Sequence, residues 1–291
     1  MSENQPPRRR STPRPEFDEP TVIRAGEAPR HLWGDEGSGF VSDRVYLSTG
    51  QLHVLEFTLP PGGAFRHSET NPTVFAGDVA YIVLDGAILL IDPATGETHE
   101  IGAGEIGFFR RDTWHHALNP SAAPARVLEY FSPPPARGTA STYGRGKQPP
   151  EVTYVDRRFT GRWPAARAER DAQARIRHLT AADHLLTVVD HGGFHREGIA
   201  ISTEFLDVAH GSVAGGHVGA SRAFDCETMI FVETGTLHVD LTDLSAHAWH
   251  DLGAGDALFL PPDTRHRLVA LESSGAAYWR GGGHVPHDWN P

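Results

Sequence analysis

The feature that most constrains this 291-residue chain is an internal repeat. Residues 102–115 (GAGEIGFFRRDTWH) match residues 253–266 (GAGDALFLPPDTRH), and residues 78–86 (DVAYIVLDG) match residues 227–235 (ETMIFVETG). The matching segments lie about 150 residues apart, which is an ordinary domain length. Self-similarity at one offset indicates a structural unit that occurs twice, so we predict two tandem modules of the same fold.

The residue pattern within each copy predicts strands. Short apolar runs rich in β-branched and aromatic residues are bounded by Gly, Pro, Asp and Asn clusters, at the spacing typical of a sandwich or barrel. Residues 164–186 are the exception, because they contain no Gly, and no Pro after the first position, and so predict a helix. The predicted fold class is all-β, with two tandem barrels joined by a short helical connector.

Composition also divides the chain into four segments. Residues 1–20 are rich in Pro, Arg, Ser and Glu and have too few large apolar side chains to offset the entropy of ordering, which predicts a disordered arm. The first barrel is expected over residues 21–147, and the connector with its helix over residues 148–186. The second barrel is expected over residues 187–291.

Each copy repeats a set of metal-ligating residue types as well as a strand pattern. A histidine follows a Gly pair, an acid comes 10 or 11 residues later, and a second histidine ends the Gly-Ala-Gly strand. Two neutral imidazoles and a carboxylate suit a divalent first-row metal, and their joint recurrence favours metal ligation over core filling. The candidate ligands are His67, Asp78 and His115 in the first copy and His217, Glu227 and His266 in the second.

Strand alternation predicts that the two acids face the barrel interior. In the first copy the neighbours of Asp78 at i+2 and i+4 are Ala80 and Ile82, and Glu227 has apolar residues at the same positions. An unpaired carboxylate among such neighbours would be costly, and a bound cation would relieve that cost. The same alternation predicts that His116 points away from the ligand that precedes it.

These residues resemble the cupin superfamily, and their duplication resembles a bicupin. The matching motif residues are Gly62, Gly63, His67, Asp78, Gly86, Gly104, His115 and Asn119 in the first copy and Gly215, Gly216, His217, Glu227, Gly235, Gly255, Pro261 and His266 in the second. The resemblance implies a cupin-type jelly-roll barrel in each half with a metal in its mouth. Both copies depart from the pattern, because Glu69 and Gly219 stand where a second histidine of the His-x-His pair is usual.

The remaining two histidines and one carboxylate resemble the facial triad of non-heme Fe(II) oxygenases. The resemblance implies a metal-dependent oxidoreductase, a dioxygenase or other oxygenase of a small organic substrate, with Fe(II) as cofactor and Zn, Mn or Ni as alternatives. Two other functions stay open: a metal-dependent isomerase, cyclase or epimerase, and a non-catalytic small-molecule binder. Glu69 is a candidate acid–base residue, and a fourth metal ligand and a surface acid are its alternatives.

Charge and cysteine content limit the partners and the compartment. With 37 acidic and 26 basic residues the chain carries a formal charge of −11, so neither nucleic acid nor an acidic membrane surface is an expected partner. The single cysteine forms no internal disulfide, and no apolar run has the length of a signal or a membrane span, so we expect a cytoplasmic protein. The resemblance also implies that a homodimer can form through sheet edges.

Overall fold

The computed structural model describes residues 11–154, 174–243 and 248–289. The strands of the first half are β1 (Thr21–Ile23), β2 (Arg30–Asp35), β3 (Gly39–Ser48), β4 (His53–Leu59), β5 (Ala64–Phe65), β6 (Asp78–Asp85), β7 (Ala87–Ile91), β8 (Thr98–Gly102), β9 (Ile106–Phe109), β10 (His116–Leu118) and β11 (Ala125–Ser132). The strands of the second half are β12 (Ile176–Leu179), β13 (Leu185–Val188), β14 (His195–Ser202), β15 (Leu206–Val213), β16 (His217–Val218), β17 (Glu227–Gly235), β18 (Leu237–Leu241), β19 (Ala248–Leu252), β20 (Ala257–Leu260), β21 (Arg267–Ala270) and β22 (Ala276–Gly283).

Helical structure is a minor part of the described chain. It consists of one α-helical turn, α1 (Ser141–Gly144), and two 3-10 turns, Pro135–Arg137 and Ala181–Asp183. Among the described residues, no helix has the length and hydropathy that crossing a bilayer requires. The all-β prediction is confirmed.

The strands form two modules of the same design. The first module contains the sheets β12-β9-β6-β11-β4-β3-β2 and β5-β10-β7-β8, and the second contains β1-β20-β17-β22-β15-β14-β13 and β16-β21-β18-β19. The two strand orders correspond strand for strand, and in each module a seven-stranded and a four-stranded sheet enclose one interior. The prediction of two tandem jelly-roll barrels is confirmed.

The outermost strand of each large sheet comes from outside the expected module boundaries. β1 pairs with β20, so residues 21–23 complete the sheet of the second module. β12 pairs with β9, so residues 176–179 of the expected connector complete the sheet of the first. Each exchanged strand covers an edge that would otherwise present unpaired backbone groups.

The predicted connector helix is absent from the described part of residues 164–186. Residues 176–179 form β12, a 3-10 turn follows, and Leu185 begins β13, whereas residues 164–173 lie outside the described chain. Ile176 is buried in the core of the first barrel, opposite Phe109 of β9. Tertiary pairing at this sheet edge overrides the helix propensity of an Ala- and Arg-rich segment.

Strand alternation separates the barrel interiors from a third core between the modules. Val79 and Tyr81 of β6 point into the first barrel, and Ile230 and Val232 of β17 point into the second. The alternate residues of the same strands meet between the two large sheets. There the ring of Tyr46 lies 5.7 Å from that of Phe231, edge to face.

Residues 11–20, expected to belong to a disordered arm, pack against both modules. The backbone N–H of Ser48 donates a hydrogen bond to the carbonyl oxygen of Pro15 at 2.7 Å. The ring of Phe17 lies 6.1 Å from that of Phe259 in the second module. Residues 1–10 of the predicted arm lie outside the described chain.

Candidate functional site

The two repeated acids, Asp78 and Glu227, lie on the outer faces of the large sheets. Their neighbours at i+2, Ala80 and Met229, belong to the core between the modules, whereas Val79 and Ile230, on the opposite faces of the same strands, belong to the barrel interiors. The prediction that both acids face the barrel interior is therefore wrong. Side chains alternate between the two faces of a strand, so an error of one residue in the predicted alternation assigns each side chain to the wrong face.

Asp78 and Glu227 instead make reciprocal contacts between the modules. An oxygen of Asp78 accepts a hydrogen bond from Nε of Arg110 at 3.2 Å, and Arg110 also pairs with Glu204 of the second module. Glu227 accepts a hydrogen bond from the hydroxyl of Thr49 in the first module at 2.5 Å. Burial raises the pKa of both acids. Thr49 and Glu204 lie in equivalent loops, after β3 and after β14, so each acid lies where a loop of the other module meets its sheet, with Arg110 as the bridge in the case of Asp78.

His67 lies beside His116 rather than beside His115. Strand β5 ends at Phe65, so the strand alternation does not extend to His67. Nδ1 of His67 is 2.7 Å from Nε2 of His116, whose Nδ1 is 2.8 Å from the hydroxyl of Tyr154. His116 points away from His115, as predicted, and its ring lies beside that of His67, another predicted ligand.

His115 and its counterpart His266 are both buried, as the repeat predicts for an interior position. Nε2 of His115 is 3.1 Å from the hydroxyl of Tyr81, and its Nδ1 is 3.2 Å from the carbonyl oxygen of Thr113. Nδ1 of His266 is 3.0 Å from the carbonyl oxygen of Thr264. Nε2 of His266 has no hydrogen-bond partner within the described chain. These two are the members of the predicted ligand sets that enter the barrel cores.

The other two candidate site residues occupy loop-facing positions. Nε2 of His217 is 2.5 Å from a carboxylate oxygen of Asp190, and its ring packs against that of Phe194. Glu69 is exposed in the loop after β5, and it does not line the barrel interior. Of the three roles open to Glu69, this position favours the surface acid.

The six predicted ligands therefore do not assemble into two metal sites. Over residues 11–154, 174–243 and 248–289, the grouping of three His, Cys, Asp or Glu side chains with ligand atoms within 4.8 Å of one another includes none of the six. Each acid is separated from the barrel histidines by the sheet itself. The donor sets found here do not fit one metal ion per barrel in the predicted way.

The interior of the first barrel contains a cavity of about 460 Å³. This volume lies within the range of roughly 300–1,000 Å³ that is usual for small-molecule sites. Its aromatic wall consists of Trp33, Phe57, Phe65, Phe75, Tyr81 and Phe131. Its ionisable groups are His31, Asp43, His53, His115 and Glu129, with Arg14 at the rim.

Three of these polar side chains occupy buried, inward positions of otherwise apolar strands. Asp43 stands between Val41 and Val45 at i±2 on β3, Glu129 has equally apolar neighbours on β11, and His53 begins β4. Sequence reasoning missed all three. Each of them is an ionisable residue on the same face of a strand as apolar core residues. This pattern could have revealed them, since an ionisable residue is rarely buried without a role.

Burial sets the protonation states inside this cavity. It raises the pKa of Asp43 to about 8, and burial together with the charge of Asp43 raises the pKa of Glu129 to about 8. It lowers the pKa of His53 to about 4 and that of His115 to about 3. At neutral pH the cavity thus holds carboxylic acids and neutral imidazoles. Because one charged carboxylate opposes ionisation of the other, loss of one proton leaves one carboxylate and one acid.

The second barrel carries an ion pair at the equivalent positions. From the strand register, Glu197 corresponds to Asp43 and Arg280 to Glu129. Arg222 donates to Glu197 at 2.7 Å, and Nε of Arg280 lies 3.4 Å from the same oxygen. Burial alone would raise the pKa of Glu197, but the two guanidinium groups lower it to about 2. Because two guanidinium groups keep Glu197 ionised, the first barrel is the stronger candidate for acid–base chemistry.

Comparison with known proteins gives structural neighbours of low sequence identity. No family model matches the chain, and a search of curated proteins gives no match. A putative glyoxylate-induced protein from Pseudomonas aeruginosa has a TM-score of 0.66 at 13% identity, covering 97% of this chain and 95% of that one. Streptomyces albus HEPD, with 2-hydroxyethylphosphonate and Fe(II) bound, has a TM-score of 0.65 at 13% identity, covering 92% and 77%. Lactobacillus farciminis oxalate decarboxylase, in a formate complex, has a TM-score of 0.59 at 14% identity, covering 94% and 87%.

Proposed function

Because the chain has the bicupin fold, we propose that it is a small-molecule enzyme whose reaction takes place inside the first barrel. The supporting observation is a cavity in which two buried carboxyl groups, those of Asp43 and Glu129, face an aromatic wall beside neutral imidazoles. A concave site with an aromatic wall and convergent polar groups is a usual form of a small-molecule site. Buried ionisable groups with strongly perturbed pKa values are typical of acid–base catalysts.

The proposed reaction is proton transfer on a small carbonyl or hydroxyl compound, such as an isomerisation, epimerisation or cyclisation. The pair first loses one proton, and the carboxylate so formed removes a proton from carbon or from a hydroxyl, while the neighbouring carboxylic acid delivers a proton to an oxygen or to an adjacent carbon. Protons are conserved over the cycle, and no oxidant or reductant is needed. The aromatic wall would enclose the apolar part of the substrate and exclude water, which strengthens each polar contact.

Deuterium exchange tests this proposal across several classes of compound at once. A panel of small keto, hydroxy and hydroxyaryl compounds is incubated with the protein in D2O, and the loss of C–H signals is followed by proton NMR. We expect the wild-type protein to accelerate exchange in at least one compound class. Because a positioned acid or base contributes about 10²- to 10⁴-fold, Glu129→Gln should slow that exchange by at least about 100-fold.

The matched control is Glu69→Gln, which removes an exposed acid of the same module. We expect its exchange rate to equal that of the wild type. A compound that exchanges equally fast with Glu129→Gln and with wild type, or a folded protein that accelerates no exchange across the panel, would contradict the proposal.

A metal-dependent oxidoreductase is the second candidate function, and the structural neighbour with Fe(II) bound favours it. In this proposal the protein is a dioxygenase or other oxygenase of a small organic molecule. Its cofactor is Fe(II), with Mn, Zn or Ni as alternatives. Elemental analysis of anaerobically purified protein and measurement of dioxygen uptake separate the two candidates. Turnover that stops after chelation and returns with Fe(II) and dioxygen would favour the oxygenase. Turnover that survives chelation without dioxygen uptake would favour proton transfer.

A further inference from the structure

A cluster of metal-binding residue types lies in the second module, outside both barrel interiors. Asp225 and Cys226 occupy the bend before β17, and His284 follows β22. One ligand atom of each of the three lies within 4.8 Å of the others. Cys226 is buried, His284 is half-buried and Asp225 is exposed, so the cluster is open to solvent on one side. We name these three residues the Asp225–Cys226–His284 cluster.

The surrounding backbone holds these side chains in place. The backbone N–H of His284 donates to the carbonyl oxygen of Phe205 at 2.9 Å, and the hydroxyl of Thr228 donates to the carbonyl oxygen of Cys226 at 3.2 Å. A Cβ atom at Gly282 would stand 2.8 Å from the sulfur of Cys226 and 3.8 Å from Nε2 of His284. The space between the thiol and the imidazole therefore depends on a glycine at position 282.

A second carboxylate stands beside the cluster. Nε2 of His284 lies 3.0 Å from a carboxylate oxygen of Asp207, near the start of β15. A thiolate, an imidazole and one or two carboxylates give three or four donors of the types that Zn²⁺ prefers, whereas Mg²⁺ and Ca²⁺ prefer oxygen alone.

We propose that the Asp225–Cys226–His284 cluster binds a zinc-type divalent metal ion, with Asp207 as fourth ligand or as the partner that orients His284. On binding, the thiol of Cys226 releases its proton to solvent and no ligand changes oxidation state. The ion would tie the end of β22 to the bend before β17. This end of β22 also touches the first module, because Gly283 abuts the backbone of Gln51. The site is therefore structural and independent of the first-barrel cavity.

Cobalt substitution tests this proposal directly. Cys226 is the single cysteine of the chain, so a thiolate-to-Co²⁺ charge-transfer band in the near ultraviolet reports this cluster alone. We expect chelator-treated protein to develop the band on titration with Co²⁺, to saturate at one equivalent per chain, and to lose it on addition of Zn²⁺. Cys226→Ser should remove the band while the far-ultraviolet circular dichroism is retained.

Two further variants address the role of the histidine. His284→Ala should weaken Co²⁺ binding by about tenfold or more, the scale of losing a ligand or its orienting partner. His287→Ala, which removes an exposed histidine three residues further on, should bind Co²⁺ like the wild type. Asp225→Asn changes an exposed side chain and should weaken binding in a protein that folds normally. Absence of the band in folded wild-type protein at excess Co²⁺, or equal affinity in wild type and His284→Ala, would overturn the proposal.

Discussion

Asp43 and Glu129 carry carboxyl groups at buried positions, where a charge is poorly solvated. Both lie in the first barrel among apolar neighbours, and the pKa of each is raised to about 8. In an unfolded chain the pKa values of Asp and Glu are about 4. The folded protein therefore binds more protons than the unfolded chain between these values, and its stability must depend on pH in this window.

We predict that the free energy of unfolding falls as the pH rises from about 6.5 to about 8.5. Each acid stabilises the fold in its protonated form, and that contribution is lost as the pH rises toward the folded-state pKa. His53 and His115, whose pKa values are lowered to about 4 and about 3, act in the opposite direction but only below the usual histidine pKa of about 6.5. Urea unfolding should show a loss of roughly 2–4 kcal/mol across the window, because each acid loses about 1.4 kcal/mol of stabilisation per pH unit below its folded-state pKa.

The matched variant for this prediction is the double substitution Asp43→Asn, Glu129→Gln. It keeps the shape of both side chains and removes both titrations, so its stability should fall less steeply over the same pH window, and the slope that is left comes from His284, because its hydrogen bond to Asp207 raises the pKa of His284 to about 10. An unchanged slope in the double variant would show that other groups produce the pH dependence.

Residue parity explains which parts of the site the sequence could predict. The repeat correctly indicated that His115 and His266 are interior, because the matching segments end on them. It misled at Asp78 and Glu227, since a repeated residue can lie at the boundary between the modules as well as in a barrel interior. The repeat did not indicate Asp43, because neither Asp43 nor its counterpart Glu197 lies in the matching segments.

Among the elements, the strands were predictable and the exchange of edge strands was not. Short apolar runs bounded by turn residues correctly predicted short strands in both copies. The pairing of β1 with β20 joins segments more than 200 residues apart, and no local pattern encodes such a contact.

We predict that β1 stabilises the second module, although β1 precedes the first module in the sequence. Ile23 is buried in the core between the modules and stands opposite Ala257 of β20. Ile23→Ala should lower the free energy of unfolding by about 2–3 kcal/mol, because it leaves a cavity in that core. The control is Thr21→Ala in the same strand, which should cost less than about 1 kcal/mol. Equal stability of the two variants in urea unfolding would contradict this role.

In the whole molecule, two barrels of one design have acquired different interiors. The first holds two carboxyl groups in an aromatic cavity, and the second holds a carboxylate neutralised by guanidinium groups. Between them lies a shared apolar core, bordered by the reciprocal contacts of Asp78 and Glu227. This arrangement favours chemistry in one barrel and a supporting role for the other.

The most direct test of this account compares two Asp→Asn substitutions in the first module. Asp43 and Asp78 are both buried, but Asp43 faces the cavity and Asp78 faces the second module. For a compound that the protein converts, kcat/KM should fall at least about 100-fold in Asp43→Asn and stay within about threefold of wild type in Asp78→Asn. A large loss in Asp78→Asn together with normal activity in Asp43→Asn would contradict the placement of the reaction inside the first barrel.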